Sequence, residues 1–248
     1  MDSWSGSFRQ PCSWRGGCSA PYGGSSSLES LSDPKLQAVL ERLHSAARGD
    51  RLRFLRILPV VLPMLLNRNR PPPAEQAARL KDVYIPLSKA QGRFLYLVAR
   101  SLDARRIVEF GTSFGISTIY AAAAARDNGG MVIGSELEPG KHRAACANLA
   151  EAGVGAYAEV RLGDATETLA DLPPPIDLVL LDGWKEQYLP MLKLLAPKLR
   201  TGAVVLADNI HTFRWSLASY LNYVQSGKNG FASLTLPLAD GFEYSVKL

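Results

Sequence analysis

Apolar residues recur in two patterns along this chain, and the switch between them falls near Pro86. Before it, Leu36, Val39, Leu40 and Leu43 recur at helical spacing, behind Ser32-Asp33-Pro34, a cap residue followed by a first-turn proline. Residues 34–47 therefore read as an amphipathic helix. Residues 51–66 are apolar with basic flanks, but Pro59 and Pro63 would break a long helix, so this stretch is expected to cover the domain or a partner subunit. Arg70 to Pro73 reads as a stiff linker and 74–82 as a short helix. Beyond Pro86, Ser88 to Leu102 reads as a helix, and strand-like and helix-like stretches then alternate. The predicted strands are 107–111, 131–136, 158–162, 177–182 and 203–208, with helices near 117–126, 139–152, 165–171 and 187–199. Short, almost wholly apolar strands belong to a parallel sheet covered on both faces, and their alternation with helices gives a doubly wound α/β domain. Two further strands, 231–236 and 242–247, are joined by a few residues around Ala239-Asp240-Gly241, too short for a crossover, so this pair is expected to be antiparallel. The expected fold is a Rossmann-like seven-stranded sheet, mostly parallel with an antiparallel C-terminal hairpin, preceded by N-terminal helices.

Composition divides the chain further. Residues 1–30 are rich in Ser, Gly and Pro without apolar periodicity and are expected to be a disordered tail. Residues 31–85 are expected to form a helical cap or lid, and 86–248 the ligand-binding domain. Residues 1–105 carry 16 Lys and Arg against 8 Asp and Glu, whereas 106–248 carry 12 against 15, so the basic character belongs to the N-terminal part. No interleaving of basic and aromatic residues marks a nucleic-acid site, and a solvated basic face is the expectation. No apolar run reaches the roughly 18 residues of a membrane span, and no uninterrupted apolar leader is present, so a cytoplasmic location is expected. Cys12, Cys18 and Cys146 form neither a disulfide framework nor a zinc pattern.

Three candidate ligand motifs follow the first three strands of the domain. Val108-Glu-Phe-Gly-Thr-Ser-Phe-Gly-Ile-Ser117 leaves a strand and opens a helix, where Gly111 and Gly115 allow a tight turn and free helix N–H groups face a ligand. A dinucleotide loop would carry a third glycine, and Glu109, placed inside the turn, would repel a pyrophosphate but suit an ammonium. Alone, such a loop fits an ordinary β–α turn as well. Glu136 ends the next strand, where an acidic residue can accept from both ribose hydroxyls; Glu138 is a possible substitute. Asp164-Ala165 follows the third strand, and Asp164 either reads an adenine amine or caps the next helix. Glu109, Gly111, Gly115, Ser117, Glu136, Asp164 and Ala165 thus line the carboxyl edge of the sheet. They suit a ligand with a ribose, an adenine and an amino group, as in S-adenosylmethionine.

A fourth constellation bears on chemistry. Leu180-Leu-Asp-Gly-Trp-Lys-Glu-Gln-Tyr-Leu-Pro190 ends the fourth strand and Leu206-Ala-Asp-Asn209 the fifth. Asp182, Asp208 and Asn209 are hard oxygen ligands that suit Mg²⁺ or another divalent cation. Lys185 can reach the same space and serve as a base, or pair with a surface carboxylate such as Glu186. His211 is a weak candidate at the acceptor, and Phe213 and Trp215 form either an apolar wall or ordinary core.

On the pattern Asp-x-Trp-Lys-x-x-Tyr-Leu-Pro followed by Leu-Ala-Asp-Asn, residues 85–248 resemble the catechol O-methyltransferase family and, more broadly, bacterial class I O-methyltransferases of small molecules. The resemblance implies transfer of a methyl group from S-adenosylmethionine to a hydroxyl of a small, aromatic acceptor. It implies metal ligation by Asp182, Asp208 and Asn209, deprotonation by Lys185, and Asp182 and Trp184 near the cofactor. The family's glutamate near the last hairpin has no clear counterpart, since Asp240 and Glu243 are out of place, so the acceptor itself is not specified. No nucleic-acid partner is expected, and a homodimer through the N-terminal helices is possible. The rivals are a metal-independent methyltransferase, a nicotinamide oxidoreductase and a non-catalytic binding protein.

Overall fold

The computed structural model describes residues 30–49 and 87–248. The expected disordered tail before Ser30, the apolar stretch 51–66, the linker and the short helix at 74–82 lie outside the described residues.

Strands β1 (Arg106–Phe110), β2 (Met131–Glu136), β3 (Ala158–Leu162), β4 (Ile176–Leu181), β5 (Leu199–Ala207), β6 (Phe231–Leu236) and β7 (Phe242–Lys247) form one sheet in the order β3-β2-β1-β4-β5-β7-β6. The first five pair in parallel and β7 pairs antiparallel with both β5 and β6. Strands grow outward in one direction from β1 to β3 and in the other from β4 to β5. The crevice between β1 and β4 is therefore the switch point at which open α/β sheets bind ligands.

Period-2 alternation within the apolar strands feeds two cores. Ile107, Val132, Leu178, Leu180, Val204 and Leu206 face one side, and Val108, Ile133, Val179, Leu181 and Val205 the other. The first core is covered by α1 (Pro34–Gly49), α2 (Lys89–Ser101), α3 (Ile116–Asn128) and α4 (Pro139–Glu151). The second is covered by α5 (Ala165–Thr168), α6 (Tyr188–Leu195) and α7 (Ala218–Gln225). Helix α3 is apolar around most of its circumference because it is sandwiched, and Ala121 to Ala125 are all buried, small enough to let it press on the sheet.

The start of α1 is capped where the sequence predicts. Asp33 Oδ1 accepts from Lys35 N at 2.9 Å at the start of α1. Ser88 and Gln91 form a reciprocal capping box on α2. Ser30 is buried and its Oγ and N–H are bound to the Asp127 carboxylate, which also accepts from Tyr96 Oη at 2.7 Å, while Arg126 Nε donates to Ser30 Oγ at 2.6 Å. Several boundaries move by one or two residues, and three differences are larger. β5 begins at Leu199 rather than Ala203, because its polar start pairs with Ile176 across a register shift. The helix predicted to 171 is the single turn α5, and α7 was not expected at all. Helix α7 has no side-chain cap and no acidic first turn, so its eight residues carry no start signal.

Candidate functional site

The loops leaving β3, β2, β1, β4 and β5 are stitched into a continuous edge by backbone hydrogen bonds that extend the ladder. Gly163 N donates to Glu136 O at 2.9 Å, Thr112 N to Ser135 O at 3.1 Å, Asp182 N to Phe110 O at 2.9 Å, and Asp208 N to Leu181 O at 3.1 Å. Every predicted strand-end candidate therefore sits on one rim.

At the β1 end, Gly111 has φ of 98°, and a Cβ there would lie 2.6 Å from Gly183 N and 2.7 Å from the Asp182 carbonyl carbon. Only glycine allows the two loops to approach so closely. Gly115 adopts a left-handed conformation as the cap residue of α3. Glu109 is not in the turn, as the sequence suggested, but inside β1 and 1% exposed. Strand alternation points it into the rim, where Thr112 Oγ1 and Thr118 Oγ1 donate to Oε2. Its Oε1 is buried without a partner among the described residues. Burial raises the Glu109 pKa against these donors, with Glu136 adding to the rise. A buried carboxylate with one unsatisfied oxygen fits a cationic donor such as an ammonium.

Glu136 holds the loop it faces, accepting from Ser113 N at 2.7 Å and Glu138 N at 2.8 Å. Glu138, the possible substitute, instead caps α4, accepting from Lys141 N at 2.6 Å. Asp164 is exposed and caps α5, accepting from Thr166 N at 2.8 Å, with Ala165 buried behind it. Thr112 and Thr118 were missed in the sequence; their spacing of three and nine residues from Glu109 is the only available signal.

At the β4 and β5 ends, Asp182, Lys185, Tyr188, Asp208 and Asn209 gather. Lys185 Nζ lies 3.5 Å from Asp182 Oδ1 and donates to Tyr188 Oη at 2.7 Å, and Tyr188 Oη donates to Asp208 O at 3.3 Å. Lys185 is thus an inward-facing group rather than a partner of a surface carboxylate, with 12% of its side chain exposed. Burial lowers the Lys185 pKa, against the pull of Asp182 and Asp208. Burial, with Asp208 and Glu109 adding to it against Lys185, pushes Asp182 up to about 8. Asp208, 3% exposed, is likewise raised by burial. Asn209, with φ of 63°, donates its backbone N–H to Asp208 Oδ1 at 2.7 Å and its amide to Oδ2 at 3.3 Å. Among the described residues, no group of three or more His, Cys, Asp and Glu converges on one point. The set of two carboxylates and one amide is all-oxygen, and its two acids are held above their ordinary pKa, so a hard dication fits it.

Around this cluster, Phe213 is half-buried with its ring centroid 5.7 Å from Lys185 Nζ, but Trp215 is 91% exposed and forms no wall. Trp184 is half-buried against the second core. His211 is exposed and packs on Gly241. Asp240 caps Thr212 N at 3.1 Å and is near enough for its charge to act on Lys185 and Asp208, whereas Glu243 is fully buried among Ser233, Thr235 and Gln225, away from the cluster. Gln91 and Tyr188 were not singled out in the sequence, although both touch the cluster.

A family profile described as a methyltransferase domain matches residues 108–210, from β1 to just past β5. The catechol O-methyltransferase of Mycobacterium tuberculosis is 38% identical over 138 residues, covering 55% of this chain and 61% of that protein. Cofactor-bound Rv0187 from MTB superposes with a TM-score of 0.63 at 29% identity, covering 77% of this chain and 95% of that one. The O-methyltransferase TomG from Streptomyces achromogenes, in complex with S-adenosylmethionine, gives 0.62 at 28%, covering 70% and 87%. In sheet order and in the build of its rim the chain is similar to class I S-adenosylmethionine-dependent methyltransferases. Within that class the chain is similar to the catechol O-methyltransferases, and it spans about three fifths of the length of the curated ones it matches.

Proposed function

We propose that the protein transfers a methyl group from S-adenosylmethionine to a hydroxyl of a small, aromatic acceptor, assisted by a divalent cation. The observation that carries this reading is the buried Asp182–Lys185–Asp208 cluster, on strand ends adjacent to the Glu109 rim. Glu109, with its unpartnered Oε1, would take the amino group of the donor; Glu136 its ribose; Asp164 and Ala165 its adenine. Gly111, Gly115, Ser117, Asp182 and Trp184 would complete the donor's surroundings. Asp182, Asp208 and Asn209 would hold Mg²⁺. When bound, these groups supply an electrophilic methyl and a Lewis acid that acidifies the acceptor hydroxyl.

The chain's own residues do the rest. Lys185 Nζ accepts the hydroxyl proton, and burial, by lowering its pKa, favours the neutral amine that does so. Tyr188 fixes Nζ, and the ring of Phe213 beside it excludes water. The rim contributes alignment, since donor and acceptor must meet in line. The domain comprises residues 86–248, with 31–85 as its cap, and the small-molecule acceptor is its only proposed partner. Among the described residues, no helix is long and apolar enough to cross a membrane.

One observation favours a metal-independent variant of this reading: Lys185 already places a cation 3.5 Å from Asp182. A chelation experiment separates the two. Methyl transfer to a catechol should vanish after exhaustive chelation, return with Mg²⁺, and be absent in Asp182→Ala and Asp208→Ala, both of which should still bind S-adenosylhomocysteine. Full turnover in the chelated protein would select the metal-independent variant.

A further inference from the structure

Gln91, in the first turn of α2, is only 2% exposed and lies far in sequence from the cluster it touches. Its amide is used at both ends. Oε1 accepts from the backbone N–H of Ser88 at 3.0 Å, and Nε2 donates to Asp208 Oδ1 at 2.6 Å. The first contact fixes the second, because an oxygen facing an N–H donor turns the NH₂ toward the carboxylate. Asp208 Oδ1 thereby holds two donors, Gln91 Nε2 at 2.6 Å and Asn209 N at 2.7 Å. Among the described residues, Oδ2 has only the long contact from Asn209 Nδ2 at 3.3 Å. One oxygen of the carboxylate is therefore committed and the other is left with lone pairs to give.

We propose that Gln91 is a positioning residue for the cation site: it pins Asp208 Oδ1 so that Oδ2 alone is presented, holding the carboxylate in the one-oxygen mode that a small, octahedral dication takes. This inference rests on the metal-assisted reading of the site. Gln91 touches neither reactant; it acts through Asp208, as partners outside the ligand sphere commonly do, with effects on the order of 10–100-fold in metal affinity. The same amide closes the capping box of α2, so the N-terminus of that helix and the candidate ligand are held by one side chain. A methyl-transfer enzyme of this kind would then feel at its cation site any displacement of the chain entering α2 at Leu87 and Ser88.

The test measures Mn²⁺ binding to the full chain, with S-adenosylhomocysteine present and no acceptor, by the loss of the free-ion electron paramagnetic resonance signal. Gln91→Met keeps the length and removes the donor, and should weaken Mn²⁺ binding by roughly 10–100-fold with S-adenosylhomocysteine affinity unchanged. Ser88→Ala, which removes the other half of the capping box and leaves the Gln91–Asp208 bond, should bind Mn²⁺ like the wild type. If Gln91→Met does not fold, Gln91→Asn, one methylene short of Asp208, carries the same expectation. Wild-type Mn²⁺ affinity in the folded variant overturns the proposal. Equal losses in Gln91→Met and Ser88→Ala overturn it too, since the cap and not the carboxylate would then be responsible. A wild-type protein that binds S-adenosylhomocysteine but no Mn²⁺ refutes the metal-assisted reading itself, and the role of Gln91 with it.

Discussion

Lys185 Nζ is closer to the phenol oxygen of Tyr188, at 2.7 Å, than to the carboxylate of Asp182, at 3.5 Å, and it also sits 4.8 Å from the Tyr188 ring centroid. The phenol proton is engaged with the Asp208 carbonyl at 3.3 Å, so the oxygen faces the lysine as an acceptor. Tyr188→Phe should keep the ring packing and remove this acceptor. The expected loss of turnover corresponds to one hydrogen bond, about 0.5–1.5 kcal/mol or roughly 2–13-fold, with donor affinity unchanged. Steady-state kinetics at saturating S-adenosylmethionine checks it; wild-type turnover would mean that Lys185 is oriented by packing alone.

Lys185→Ala should be far more damaging, roughly 10²–10⁴-fold in turnover, with S-adenosylhomocysteine binding retained. The deficit should shrink for acceptors whose hydroxyl is already ionised at the assay pH. A uniform loss across a series of phenols of graded acidity would argue against proton transfer to this nitrogen.

The raised pKa of Asp182 sets a pH dependence with a definite sign. A cation needs the carboxylate, which in the cation-free protein forms only as pH rises toward about 8. Apparent Mg²⁺ affinity should therefore climb with pH through neutrality and flatten above about 8, with proton release on binding. Calorimetry in two buffers of different ionisation enthalpy measures that release. Stability of the cation-free protein runs the other way. A folded-state pKa of about 8 against an ordinary value of 3.8 means that the contribution of Asp182 is fully present below 3.8 and is lost as pH rises to about 8. Lys185, whose folded pKa is lowered, opposes this: its unfolded form binds the extra proton, so its contribution rises with pH above its folded pKa.

Glu136 and Glu138 are two residues apart but have separate tasks. Glu136→Ala should weaken S-adenosylhomocysteine binding by about 1.5–3 kcal/mol if charge-assisted hydrogen bonds to the ribose are lost. Glu138→Ala should leave that affinity intact and cost about 0.5–2 kcal/mol of stability through the lost cap of α4. Paired titration calorimetry and thermal melting separate them; reversed effects would move the ribose contact to Glu138.

The N-terminal boundary can be set to a residue. A protein beginning at Glu29 should fold and turn over like the full chain. One beginning at Asp33 loses Ser30 and leaves the half-buried Asp127 carboxylate with Tyr96 Oη as a remaining donor, at a cost of about 0.5–1.5 kcal/mol for the lost hydrogen bond. Thermal melting of the two truncations tests this, and identical melting would make the clamp irrelevant.

The sequence was most legible where chemistry and periodicity coincide. Strands β2, β3, β6 and β7 fall where expected because each is a short β-favouring run bounded by turn residues, and the rim candidates followed from the strand ends. Lys185, Asp182 and Asp208 were found because charged residues directly after apolar strands stand out. Gln91 was not, because a polar residue in the first turn of an amphipathic helix is ordinarily a cap, which it also is. Tyr188 was hidden for the opposite reason: an aromatic at a helix start reads as core, and its ring is core while its oxygen serves the cluster. Glu109 was assigned to the turn although the predicted strand already contained it, because a carboxylate beside a glycine-rich loop reads as a loop residue rather than as a side chain buried within β1.

The near-contact between Gly111 and the backbone of Gly183 has a consequence for how this protein would choose what it methylates. The segment that would seat the donor and the segment that would ionise the acceptor leave no slack between them, so they form a single rigid jig whose spacing is inherited from two hydrogen-bonded strands. A jig of that kind fixes the distance across which the methyl travels and is indifferent to the rest of the acceptor. Discrimination among acceptors would then fall to parts of the chain free to vary without disturbing the jig, such as the exposed loop segment 214–215 with its solvent-facing Trp215. Swapping that loop should redirect the enzyme to other hydroxyls, while a single methyl group added at position 111 should silence it for all of them.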